Sequence, residues 1–332
     1  PAIFRNDLSR KDRAVLMGAD GDDFNRWEAG QALAADLMLG GVVQDADYLQ
    51  AIGQALDKAA QDPAFAAQML MPPAESEIAA MKSPADPDAI HAARTALIRA
   101  VTHAHGPQVA GLYEHMRGSG EGGSGDFSPD APSAGRRALR NVCLRYLTAA
   151  DDEPAAGLAD AHYRTATNMT DMIAGLAGLT RMESPLRDAA FTHFHDRFRG
   201  DPLVLDKWMG LQAGSILPET PANVRALMKH STFDIKNPNR VRALIGAFSA
   251  NHLRFHSASG AGYRLVGDVI RTLDPINPQV AARLAGGFES WTRYDPARQV
   301  LMKAELQAIH GLAGISPNLF EVTGKMLRPV SR

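Results

Sequence analysis

"DPDAIHAARTALIRAVTHAHG", residues 86–106, decides the fold class. Ile90, Ala93, Leu97 and Val101 recur at intervals of three and four, the spacing of one helix face, and no two-residue alternation competes with it. An Asp-Pro pair opens the run, and Gly106 is read as its stop.

The same grammar repeats along the chain. "SAGRRALRNVCLRYLTAAD" (133–151) puts Leu139, Val142, Cys143, Tyr146 and Leu147 on a stripe and leaves Arg136, Arg137, Arg140 and Arg145 on the other sides. "NPNRVRALIGAFSANH" (237–252) aligns Val241, Leu244, Ile245, Phe248 and His252. "NPQVAARLAGGFESW" (277–291) aligns Val280, Leu284, Phe288 and Trp291. Asn-Pro or Asp-Pro pairs at 86–87, 201–202, 237–238, 277–278 and 295–296 mark helix starts. This predicts roughly 16 to 18 helices with short connections. So many short helices suit stacked pairs better than a compact bundle. The fold class is all-α: an irregular superhelix, an α-solenoid of HEAT/ARM-like type, built of antiparallel helix pairs. No strict repeat is visible, which argues against TPR or ankyrin arrays.

Two segments depart from this pattern. Residues 1–20 lack clean periodicity and read as a lead-in from a preceding domain, with the helical domain spanning 21–332. The absence of an initiator methionine before Pro1 leads us to expect a piece of something longer. "GSGEGGSGDFSPDAPS" (118–133) predicts a flexible loop, either a hinge between two lobes or a long surface loop.

Composition narrows the partners. The chain has 332 residues, 45% hydrophobic and 22% charged, with a net charge of −2, so neither nucleic acid nor an anionic membrane is expected. "MIAGLAGL" (172–179) falls far short of the roughly 20 residues that span a bilayer. The lone Cys143 permits no intramolecular disulfide and points to a reducing compartment. Its place on an apolar stripe predicts a buried, inert thiol.

"HLRFH" (252–256) has the two-histidine spacing of a zinc peptidase helix. Leu253 stands where the water-activating glutamate belongs, Arg254 disfavours a dication, and Asp274 and Pro275 occupy the region where a further ligand would come. We expect His252 to end an apolar helix face, His256 to cap or pack nearby, and no metal to bind. "HAH" (103–105) and "HFH" (193–195) place their histidines about 200° apart on a helix, unable to share one ion. The sequon at Asn168 matters only in a eukaryotic secretory pathway, which nothing else supports. No nucleophile elbow, Walker loop or dinucleotide fingerprint occurs. Arg242 and Arg283 each follow an Asn-Pro start by a few residues, where a cation opposes the helix dipole. They need another reason to be there: a surface salt bridge, or a carboxylate or cavity.

Several segments together resemble the C-terminal part of bacterial aminopeptidase N, in the M1 family of zinc metallopeptidases. They are "DFNRWEAGQALAADLML" (23–39), "LRNVCLRYL" (139–147), "NMTDMIAGL" (168–176), "DKWMGLQA" (206–213), "NPNRVRALIGAF" (237–248), "FHSASGAGY" (255–263), "NPQVAARL" (277–284) and "RYDPARQVLMKAEL" (293–306). Their order and spacing follow the family over nearly the whole chain, and the segment from 107 to 133, with its glycine-rich insert, departs from it. The resemblance implies an α-helical superhelix that caps the active site, encloses a substrate chamber and controls access to it. It also implies that the zinc, its HExxH helix, the downstream glutamate ligand and the GAMEN motif lie in an earlier, thermolysin-like catalytic domain. No cofactor and no catalytic residue is then expected in these residues, and the chain alone should be inactive. Arg242 and Arg283 fall where family members face the cavity, suited to a peptide's distal backbone or terminal carboxylate. The implied partners are the catalytic domain of the parent chain and peptide substrates, in the bacterial cytoplasm. The competing expectation is a free-standing helical scaffold that binds peptides or proteins on a concave face.

Overall fold

The computed structural model describes residues 7–117 and 127–328. They divide into two compact units. The first runs up to Ile78 and resumes from Ile90 to Leu179; the second takes Ala79–Ala89 and everything from Thr180 onward.

The helices of the first part of the chain are α1 (Arg10–Ala19), α2 (Asp23–Gly40), α3 (Ala46–Lys58), α4 (Pro63–Leu70), α5 (Glu75–Met81), α6 (Pro87–Arg117), α7 (Ala131–Leu147), α8 (Glu153–Thr165) and α9 (Met169–Leu179). Those of the second are α10 (Pro185–Phe198), α11 (Pro202–Ala213), α12 (Thr220–Leu227), α13 (Pro238–Val241), α14 (Ala247–Ala250), α15 (His252–Phe255), α16 (Ala261–Leu273), α17 (Pro278–Ala285), α18 (Pro296–His310) and α19 (Pro317–Leu327). The all-α expectation stands. Among the described residues the β content is one isolated bridge, between Ala85 and Tyr294. None of these helices is long and apolar enough to cross a membrane.

The acid-proline and Asn-proline pairs act as the sequence predicts. Asp201, Asn237, Asn277 and Asp295 each accept hydrogen bonds from free backbone N–H groups of the following first turn, with proline at the position that has no N–H to satisfy. Asp86 does the same for α6, accepting from the Asp88 N–H at 3.0 Å.

Three boundaries differ from the sequence reading. Within the expected lead-in, Arg10–Ala19 is a helix with a Ser9/Asp12 capping box, and it packs against α2 and α3 through buried Ala14 and Met17. Gly106 does not stop α6, which continues through Pro107 to Arg117. Val109, Tyr113 and Met116 prolong the buried stripe, and that tertiary burial outweighs the local cost of Gly-Pro. Finally, the loop expected over 118–133 lies outside the described residues from 118 to 126, and α7 begins already at Ala131. Asp130 caps that helix, Arg137 Nη1 donates to the Ser128 carbonyl at 2.9 Å, and its guanidinium lies 4.8 Å from the Phe127 ring centroid. The division into units does not fall at this segment, because both flanks belong to the first unit.

In the first unit, α8 and α9 pack tightly against one another. A Cβ on Gly175 would lie 2.8 Å from the Tyr163 backbone nitrogen, so only glycine permits this approach. Beneath it, Arg140 and Asp171 form a buried ion pair at 3.3 Å. In the second unit, α16 buries Tyr263, Leu265, Val266, Val269, Ile270 and Leu273, a wide apolar face. The short segment Ala79–Ala89 joins this unit through Ala85, whose N–H donates to the Arg293 carbonyl at 2.9 Å and whose carbonyl accepts from the Asp295 N–H at 3.1 Å.

Candidate anion-binding cavity

Two helical runs of the second unit frame the site. One starts at Asn237, passes through α13, makes a π-helical turn over Arg242–Gly246 and finishes as α14. The π turn is closed by the Ala247 N–H bonding the Arg242 carbonyl, one residue wider than an α turn. The other run is α17, capped by Asn277 and followed by a 3₁₀ turn at Gly286–Phe288. Between them lies a cavity of about 300 Å³.

Arg242 and Arg283 both line this cavity. Its walls are Val241, Val280 and Leu284, and the glycines at 246 and 287 leave room inside it. A Cβ at Gly287 would reach ordinary contact with Phe255 at 3.5 Å, so the glycine contributes space here rather than a special backbone angle. The Ser249 hydroxyl is already committed, donating to the Ile245 carbonyl at 2.9 Å. Both arginines are exposed, and among the described residues neither guanidinium has a hydrogen-bond or ion-pair partner. No acidic residue lines the cavity. Two permanent positive charges over apolar walls, with no nucleophile or general base among them, can bind and orient an anion.

The dipole argument drawn from the sequence does not hold for Arg283. Helix α17 is eight residues long, and Arg283 lies in its last turn, where a cation is favourable. Arg240, which sequence reasoning passed over, is the buried counterpart two residues from Arg242. It pairs with Asp206 and donates to the Pro202 carbonyl at 2.6 Å.

"HLRFH" forms a separate buried cluster in the same unit. The helix breaks at Asn251, so His252 opens the short α15 rather than ending the preceding face. The two imidazole centroids are 5.0 Å apart. His256 Nδ1 and the Tyr263 hydroxyl are hydrogen-bonded at 3.0 Å, and the Tyr294 ring lies tilted against His256 with centroids 4.0 Å apart. Burial, His252 and Arg298 push the His256 pKa down to about 2. This donor set does not fit a zinc ion: one imidazole nitrogen is occupied by Tyr263, and no carboxylate joins the pair. Among the described residues no group of three or more His, Cys, Asp or Glu side chains gathers where a metal could be held.

The other sequence candidates are structural. Cys143 is buried, and desolvation pushes its thiol up to about 12. Asn168 is buried and donates from Nδ2 to Asp171 at 3.1 Å, so its amide is engaged inside the fold. His105 bonds the Leu49 carbonyl at 2.8 Å, and His195 lies against Trp208 with ring centroids 4.9 Å apart.

Comparison with known proteins places the chain in a family. The family described as "Domain of unknown function (DUF3458_C) ARM repeats" matches residues 10–328. "Aminopeptidase N" of Caulobacter vibrioides is 42% identical over 98% of this chain, and that of Escherichia coli is 34% identical over 94%. The chain spans only 38% and 36% of the length of those two relatives. Among solved structures, Legionella pneumophila aminopeptidase A in complex with aspartic acid superposes with a TM-score of 0.89 at 27% identity, covering 97% of this chain and 39% of that one.

Proposed function

The chain belongs to the DUF3458_C family of ARM-repeat domains, and from that premise we propose that it is the C-terminal helical domain of an M1-type zinc aminopeptidase that releases N-terminal residues from peptides. On this reading it caps the active site, encloses the substrate chamber and controls access, in the cytoplasm of a bacterium. Its partners are the catalytic domain of its own parent chain and the peptide substrate. The zinc and the water it activates belong to polypeptide outside these residues, and the chain alone turns nothing over.

The observation that supports a binding role best is the pair Arg242 and Arg283 at one cavity, uncompensated by any acid. A free peptide brings a C-terminal carboxylate and a polar backbone; a one-residue amide reporter brings neither. A charge-assisted hydrogen bond contributes about 1.5–3 kcal/mol, roughly a ten- to hundredfold change in binding. In the full-length enzyme, Arg242→Ala and Arg283→Ala therefore raise KM for a tripeptide or longer substrate by about tenfold or more. Turnover of an aminoacyl amide reporter stays within about twofold, since no bond to it is lost. Equal effects on both substrates would sink the assignment.

A further inference from the structure

We propose that the arginine cavity selects a peptide by its last residue: an apolar one of about leucine size, with its α-carboxylate on Arg242 and Arg283 and its side chain against the cavity wall. The inference rests on the carboxylate role given to those arginines above and adds a substrate class to it. Outside the arginines and Ser249, every side chain lining the cavity is apolar, with Val241 and Leu284 buried and Val280 half-buried. Ser249 adds no free donor, because its hydroxyl already donates to the Ile245 carbonyl.

Chemistry is the first argument. An inorganic anion would use the two guanidiniums and leave the apolar wall uncovered; a ligand that uses both carries an anionic head and an apolar body. A free amino acid has those parts, but it also brings an α-ammonium. No acidic residue lines the cavity, and two positive charges already stand there, so that ammonium would be repelled and unpaired. Acylation of the nitrogen removes the conflict, and the last residue of a peptide is the ligand in which it is acylated. A lysine side chain meets the same repulsion, and a second carboxylate would have to lose its water against Val241, Val280 and Leu284.

Capacity is the second. The cavity holds about 300 Å³, and a void of roughly 150 Å³ lined by aliphatic groups is enough to take up benzene. A leucine-sized side chain and its carboxylate therefore fit together. Gly287 sets part of that room. A Cβ there would lie 3.5 Å from the Phe255 ring and 3.8 Å from the Ser249 Cβ, both ordinary contacts, so the fold accepts a side chain at 287 at the expense of the cavity. Filling this position takes space from the ligand and leaves both arginines in place.

The test uses the full-length enzyme and trialanine extended at its C-terminus by leucine, glycine or glutamate, each as the free acid, with the leucine peptide also as the amide. The leucine acid is expected to exceed the glycine acid in kcat/KM by about tenfold, with glutamate no better than glycine. Gly287→Val brings the leucine-to-glycine ratio to within about twofold, and the smaller Gly287→Ala lowers it in part. Both peptides are cut by the same preparation, so any loss of folded enzyme cancels in the ratio. A ratio near one in the parent enzyme, a glutamate peptide that outranks the leucine one, or a ratio that Gly287→Val leaves unchanged overturns the proposal. The amide separates the two readings. If it is cut as well as the acid, the carboxylate role of the arginines fails and this inference falls with it; if the acid is preferred whatever the last side chain, only this inference fails.

Discussion

Two buried polar clusters, one in each unit, are built in opposite ways. In the first, the ion pair Arg140–Asp171 is sealed in place. Asp171 is 2% exposed, and its oxygens receive Arg140 at 3.3 Å, Asn141 at 3.0 Å and Asn168 at 3.1 Å. Nearby, His162 Nδ1 is hydrogen-bonded to the Tyr113 hydroxyl at 2.9 Å. In the second, the core of the cluster is uncharged: His256 beside Tyr263 and Tyr294, with Arg298 and the two acids it meets, Asp295 and Asp88, around it. Arg298 donates to the His256 carbonyl at 2.6 Å and to Asp295 at 2.7 Å, and pairs with Asp88. The first cluster keeps charge inside by giving both oxygens of its carboxylate hydrogen-bond donors. The second cluster keeps charge out of its centre by holding the His256 imidazole neutral. The first design is vulnerable to losing a partner, the second to gaining a proton.

The largest expected effect comes from breaking the saturated pair. Asp171→Ala leaves the Arg140 guanidinium buried without an acid, and one-sided removal of a buried ion pair costs about 3–5 kcal/mol. Urea unfolding followed by hydrogen exchange at α9 amides should show that loss confined to the first unit. If the cost stays under about 1 kcal/mol, in the range of exposed pairs, the pair is not what holds α7 to α9.

Protonation is the matching test for the second unit. Burial lowers the His256 pKa from 6.5 to about 2, so the folded state binds no proton at pH 5 while the unfolded chain does. The sign follows from linkage: the stability owed to a neutral His256 is fully present above pH 6.5 and drains away as pH falls towards 2. One proton difference gives a slope of about 1.4 kcal/mol per pH unit. His162 is lowered too, by burial first and Arg140 second, and adds a slope of the same sign in the first unit. His256→Gln should remove about one proton's worth of slope between pH 6.5 and 5 and leave the first unit's response intact. Denaturant midpoints measured across that interval decide it; an unchanged slope means His256 is protonated in the folded state.

Much of this contrast was invisible in the sequence, for a physical reason. Caps and apolar stripes are local, so Asn237, Asn277 and the Leu97–Val101 face could be read directly. Buried ion pairs are not local. Arg140 looked like one more polar residue on the solvent side of α7, and Arg137 likewise, yet each is only 7% exposed. Their partners lie on other elements: Asp171 is 31 positions away along the chain. A closer signal did exist, since Asp171 follows Asn168 by three and would meet it across one turn. The arginine cavity was half legible. Resemblance selected Arg242 and Arg283, but the π turn that carries Arg242 has no composition of its own, and the glycines at 246 and 287 give no hint that both line one cavity.

The smallest expected effect on stability sharpens the comparison at its limit, where a charge has no partner at all. Arg240 is buried on Asp206 and the Pro202 carbonyl, so Arg240→Ala abandons an acid and destabilises the second unit. Arg242, two residues on, is exposed and without a partner among the described residues, and Arg283 is the same. Truncating either removes no bond, and surface changes of that kind stay within about 0.5 kcal/mol. The Arg242→Ala/Arg283→Ala double variant should therefore melt with the parent protein while binding free peptides poorly. A charge that no hydrogen bond or ion pair among the described residues holds is free for what it meets from outside. Should the double variant unfold appreciably more easily, the two guanidiniums are serving the fold after all, and the cavity loses its claim to a ligand.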